Sequence, residues 1–137
     1  MKRSSDRILT THAGRLDGPP DLREMTAAML SQLGYRVLLA ATGPEALAAL
    51  RRDSTIRLLF SDIVMPAGMS GIDLARAACR LRPGLKVLLN SGYPGDDIKL
   101  HEIQSEFQFI HKPYKSTTLG RKLAEVLAAD QPLATRL

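Results

Sequence analysis

Three residues of different chemistry each follow a short apolar run: Asp62 after "RLLFS", Ser91 after "LKVLLN" and Lys112 after "FQFIH". A carboxylate, a hydroxyl and an ammonium converging on one crevice suit phosphoryl transfer. The carboxylate can attack phosphorus and form an aspartyl phosphate. The ammonium and hydroxyl can then bind the phosphoryl oxygens, and a divalent cation can neutralise the remaining charge. Each residue also has an ordinary use: Asp62 as a loop cap, Ser91 in a turn, Lys112 on a surface. Only the set of three points to chemistry.

For the three to meet, their runs must be neighbouring strands. Five apolar runs, at 7–11, 35–40, 57–61, 85–91 and 107–112, alternate with five helix-like segments. The first helix, "DLREMTAAMLSQLGY", places Leu22, Met25, Met29 and Leu33 on one face and has Gly34 as its stop. The second, 43–53, has Pro44 at its first helical position and turns Ala46, Leu47 and Leu50 inward. The third, 71–81, is ended by Pro83-Gly84, and a weaker fourth covers 96–106. The last, 116–129, is capped by Ser116 or Thr117 and presents Leu119, Leu123, Val126 and Leu127. Strands alternating with such helices predict right-handed crossovers and a parallel sheet. The runs around Leu58 and Leu88 lack polar alternation, as expected of strands covered on both faces. Ligands of such sheets bind at the carboxyl ends of strands, where all three polar residues fall. The expectation is a single-domain, three-layer α/β sandwich over 1–137, with its core at about 7–129.

The segments "LLFSDIVMPAGMSGIDLA", "LKVLLNSGYPGD" and "FIHKPY" resemble the signature segments of the response-regulator receiver domain, the phosphoacceptor module of two-component signalling. The "MPxGMSG" and "SGY" wording is similar to receivers associated with hybrid histidine kinases. The resemblance spans about residues 20 to 128. It implies a flavodoxin-like fold with five parallel strands in the order 2-1-3-4-5 and five helices. It also implies that Asp62 is the phosphorylated aspartate and that Ser91 is the hydroxyl that binds the phosphoryl group and moves on activation. Lys112, followed by Pro113, would pair with the phosphoryl oxygens, and Phe109 would be the aromatic switch residue. Asp62 and the backbone carbonyl of Val64 would bind Mg2+, and Gly92 would leave the site uncovered.

The family's other metal ligands are two adjacent acids at the end of the first strand, and these are missing. Anchoring on "PDLREM" puts Asp17 at the first acid and Gly18 at the second, but buries Arg15 in a strand that also contains a Gly. Anchoring on "RILTT" gives a better strand and puts His12 and Ala13 at the acid positions, with "GRLDGPP" as an insertion. The second is preferred for the backbone. Asp17 stays a candidate ligand if the inserted loop folds back. Under both, the direct second ligand is absent. Each lost charge-assisted contact is worth about 1.5–3 kcal/mol, so Mg2+ should be held weakly or not at all.

Composition narrows the alternatives. Apolar residues make up 45% of the 137-residue chain, no run reaches membrane-span length and no secretory h-region opens it, so a cytoplasmic protein is expected. Cys79 is the only cysteine, which excludes an internal disulfide, and it reads as a small core residue. His12, His101 and His111 share no spacing and read as structural or surface residues. The formal charge of +5 comes from basic residues spread along the chain, which favours a solvated surface over a nucleic-acid stripe. No glycine-rich phosphate loop follows a strand, which ranks a nucleotide- or flavin-binding enzyme last. The leading expectation is a non-enzymatic receiver phosphorylated on Asp62 by a histidine kinase or histidine phosphotransfer protein. It would signal to a downstream protein target, with no direct nucleic acid and no membrane. The alternative is a pseudo-receiver, an interaction module that works without phosphorylation.

Overall fold

The structure, a computed structural model, describes residues 7–11, 21–63, 69–91, 107–111 and 114–128, with 21–26 and 91 described as backbone alone. Its elements in chain order are β1 (Arg7–Thr11), α1 (Asp21–Gln32), β2 (Arg36–Ala40), α2 (Gly43–Arg52) and β3 (Ile56–Asp62). Then come α3 (Gly71–Leu81), β4 (Lys86–Ser91), β5 (Gln108–His111) and α4 (Ser116–Ala128). The expected strand "RILTT" is therefore β1, hydrogen-bonded between β2 and β3. All pairs are parallel and the order is β2-β1-β3-β4-β5, as expected. Four helices are described; the one expected over 96–106 lies outside the described residues.

Alternation along the central strands splits the apolar side chains between two layers. Leu9 and Leu59 pack with Ala46, Leu50, Leu74 and Ala75 of α2 and α3. Ile8, Leu58 and Phe60 pack on the opposite face with Leu30 of α1 and Leu119, Leu123, Val126 and Leu127 of α4. Among the described side chains of α1, Leu30 is fully buried, and Met29 and Leu33 of the expected face pack beside it. Leu22 and Met25 have no described side chains.

The helix ends follow local chemistry. Gly34, at φ 101°, closes α1 in a conformation that costs glycine little. Its N–H donates to Ser31 O at 3.0 Å and that of Tyr35 to Leu30 O at 3.2 Å, the two bonds of a Schellman ending. Thr42 caps α2 by accepting from the Glu45 N–H at 3.2 Å, and Glu45 in turn accepts from the Ala41 N–H at 2.8 Å. Ser70 caps α3 through the Asp73 N–H at 3.0 Å. This cap fixes the angle at which α3 leaves the end of β3, where Asp62 sits.

Candidate functional site

β3 is the middle strand, and its last residue is Asp62, 5% exposed. It lies beside the point where the strand order reverses, between β1 and β3, the usual place for a ligand crevice in an open parallel sheet. Of the five strands, only β3 ends on a carboxylate; the others end on Thr11, Ala40, Ser91 and His111.

Four hydrogen bonds fix the strand end around Asp62. Thr11 Oγ1 donates to Ser61 Oγ at 2.7 Å, and Ser61 Oγ donates to the Asp62 carbonyl at 2.9 Å. Both hydroxyl residues are buried, so this chain ties the ends of β1 and β3 where a bare hydroxyl would be costly. The Ile63 N–H reaches the Asn90 carbonyl at 3.1 Å, and the Ile63 carbonyl accepts from the Gly71 N–H at 2.6 Å. Gly71 is required by space: a Cβ there would lie 1.8 Å from the Asp62 carbonyl oxygen. The start of α3 thus abuts the backbone of Asp62.

Asn90 is the register partner of Asp62 on β4 and is 7% exposed. Asp62 and Asn90 continue the alternation of Phe60 and Leu88, so both side chains belong to the α1/α4 face. The Asn90 Nδ2 makes a long contact of 3.5 Å to the Tyr114 hydroxyl, and the Tyr114 ring lies tilted at 6.3 Å from Phe60. Asp62 has other interactions, but its buried Oδ1, like Asn90 Oδ1, accepts no hydrogen bond. Buried oxygens of this kind favour a nearby proton donor or cation.

The sequence-derived residues divide as follows. Asp62 ends β3, and Ser91 ends β4, where its register partner is His111. Phe109 is half-buried against the α2/α3 layer, with its ring 5.5 Å from that of His111 in an edge contact. Lys112, Val64, Gly92 and Asp17 lie outside the described residues. Asn90 and the Thr11–Ser61 pair were not singled out from sequence, although Asn90 was visible there as the polar neighbour of Ser91. Thr11 and Ser61 read as ordinary strand residues until register places them side by side.

Magnesium, which the resemblance implies, prefers one or two carboxylates plus water in octahedral order. At this crevice the described strand ends supply Asp62, while the Thr11 hydroxyl is committed to Ser61. No group of three or more His, Cys, Asp or Glu among the described residues could hold a metal ion. Among the described residues the crevice therefore offers one carboxylate, Asp62, toward such an ion.

Comparison with known proteins gives the context. The family model of the response regulator receiver domain matches residues 16–124, beginning just after β1. The response regulator receiver protein CpdR of Brucella abortus is 29% identical over 110 residues, covering 80% of this chain and 90% of that protein. The C4-dicarboxylate transport transcriptional regulatory protein DctD of Rhizobium meliloti is 34% identical over 105 residues, 76% of this chain but 22% of DctD. The chain thus spans about a fifth of the length of that relative. Among solved structures, a response regulator receiver protein from Sinorhizobium medicae superposes with a TM-score of 0.77 at 20% identity, covering 91% of this chain and 96% of that one. The response regulator TrrA of Thermotoga maritima, solved in complex with Mg2+-BeF, superposes with a TM-score of 0.73 at 25% identity, over 92% and 99%. A sheet in the order 2-1-3-4-5 and a family match over most of the chain lead to one assignment: the chain belongs to the response regulator receiver domain family.

Proposed function

We propose that this receiver accepts a phosphoryl group on Asp62 from a histidine kinase or histidine phosphotransfer protein. The observation that carries the reading is the position of Asp62: a buried carboxylate at the end of the central strand, beside the reversal in strand order. In the transfer, a carboxylate oxygen of Asp62 bonds to phosphorus as the phosphorus–nitrogen bond of a phosphohistidine breaks. The electron pair returns to the imidazole, which takes up a proton. Lys112 would neutralise the phosphoryl oxygens, and Ser91 would donate its hydroxyl to one of them. Ser91 and Phe109, on the adjacent strands β4 and β5, would pass the change to a protein-binding face read by a downstream protein. On this reading the chain is a phosphoacceptor rather than an enzyme, works in the cytoplasm, and holds Mg2+ weakly or not at all.

One observation favours the second reading, a pseudo-receiver used as a phosphorylation-independent interaction module. β1 ends on Thr11, whose hydroxyl is engaged with Ser61, and not on a carboxylate. The two readings separate in one experiment. The protein is incubated with magnesium and acetyl phosphate and weighed intact, with Asp62→Asn as control. An adduct of about 80 Da, one phosphoryl group, is expected on the wild type and absent from the control. No adduct on the wild type, with beryllofluoride also failing to shift its spectrum, sinks phosphorylation in favour of the pseudo-receiver.

A further inference from the structure

The end of the molecule opposite Asp62 has a character of its own. In a parallel sheet with helical crossovers, the strand starts and helix ends share one edge. Here the strands begin at or beside Arg7, Arg36, Arg57 and Lys86. On the same edge, α2 ends in Arg51 and Arg52, and α3 ends through Arg80 into Arg82. Basic residues dispersed in the sequence are therefore gathered in space. The acids described there are Asp53, held by Arg7 at 2.6 Å, and Glu125 beside Lys122 on the other face.

Helix-end arginines offset the helix dipole, but that does not account for the exposed Arg36 at the start of β2. Between these charges lies an open cleft of about 280 Å³, as polar as it is apolar, where Leu81 and Pro83 are exposed above the buried Ile56 and Leu85 and Arg57 and Arg82 form the border. Leu81 is 36% exposed on its rim. Arg82 also donates to the Leu50 and Ser54 carbonyls, which draws the Arg51–Arg52 end of α2 close to the cleft.

From this juxtaposition we infer that the basic end docks an acidic segment of a partner protein, with carboxylates on the arginines and an apolar side chain in the Leu81 cleft. Arginine outnumbers lysine here, and its planar fork matches carboxylates in pairs. A cleft of this volume takes one or two apolar side chains. Nucleic acid fits less well, because among the described residues no exposed aromatic lies at this end for base stacking: Tyr35, at the start of β2, is 6% exposed. Docking here is independent of whether Asp62 is phosphorylated.

The probe is a fluorescein-labelled peptide of repeated Glu-Glu-Leu, titrated by anisotropy against the whole protein, with a Glu-Glu-Ser peptide and a single-stranded oligonucleotide beside it. The Leu-containing peptide should bind at least several-fold more tightly than both, and weaken as salt rises from about 0.05 to 0.5 M. The combined Arg51→Gln, Arg52→Gln, Arg80→Gln variant, checked for folding by circular dichroism, should bind about tenfold more weakly. Leu81→Ser should lose about fivefold, with the salt dependence kept. Three results overturn the inference: no peptide binding, tighter binding of the oligonucleotide, or an affinity indifferent to both variants. Concentration-dependent self-association abolished by the same Arg variant also overturns it, in favour of a second copy as occupant.

Discussion

At the scale of single residues, Gly71 is as constrained as Asp62. A methyl group there would collide with a backbone carbonyl, which cannot swing away as a side chain can. Gly71→Ala should cost about 3 kcal/mol in urea unfolding, near the top of the range for overpacking. It should also slow any modification of Asp62, because relief requires moving the Asp62–Ile63 peptide. Unchanged stability and unchanged adduct formation would refute this. Asp62 was legible in the sequence because it is an acid directly ending an apolar run. Gly71 and the Thr11–Ser61 hydroxyl pair were not, since their roles depend on which backbone lies across from them. The partnership of Asp62 and Asn90 likewise needs the β3–β4 register, which spacing alone leaves open. The preference for "RILTT" as the first strand came from strand physics, and it matches β1.

Among the elements, α2 and α3 share one apolar layer and are further tied by a single side chain, Arg82. Arg82 Nη1 donates to the carbonyls of Leu50 at 3.4 Å and Asp53 at 3.3 Å. Its Nη2 donates to those of Ser54 at 3.2 Å and Ile56 at 2.5 Å. It thereby satisfies carbonyls at the end of α2 and in the following turn that helix geometry leaves open. Arg82→Met should destabilise the fold by about 1–2 kcal/mol in denaturant melts, the loss of charge-assisted bonds to partly buried backbone. Arg82→Lys should recover little, since one ammonium cannot span the fork. A melt unchanged in either variant would show that water satisfies these carbonyls equally well. Two helix ends were readable in the sequence, since Gly34 and Pro44 carry local chemistry that needs no tertiary partner, whereas the Ser70 cap emerged only from the structure. The buried face of α1 was readable in part. The spacing gave Met29 and Leu33, which pack into the core, but not Leu30 between them, which is the fully buried residue among the described side chains.

Across the whole molecule, topology was legible because five apolar runs alternating with helices leave few parallel arrangements. Stability against acid was not. Asp53 ties the α2–β3 turn to β1, and its carboxyl is lowered to about 2 by the Thr55 hydroxyl, the Thr55 N–H and Arg7. A carboxyl depressed on folding contributes stability that is complete above its unfolded value, near pH 4, and is lost as the pH falls through about 2. The thermal midpoint of the wild type should therefore fall more steeply between about pH 4 and 2 than that of Asp53→Asn. Parallel slopes would rule out this contribution. The crowding of arginines at the edge opposite Asp62 has a practical side as well. On a sulfonate resin or a phosphate-coated sensor chip the protein should adsorb by that edge, more firmly than a net charge of +5 suggests. Immobilised this way it would stand upright, with the Asp62 crevice facing the bulk solution and open to whatever is flowed over it.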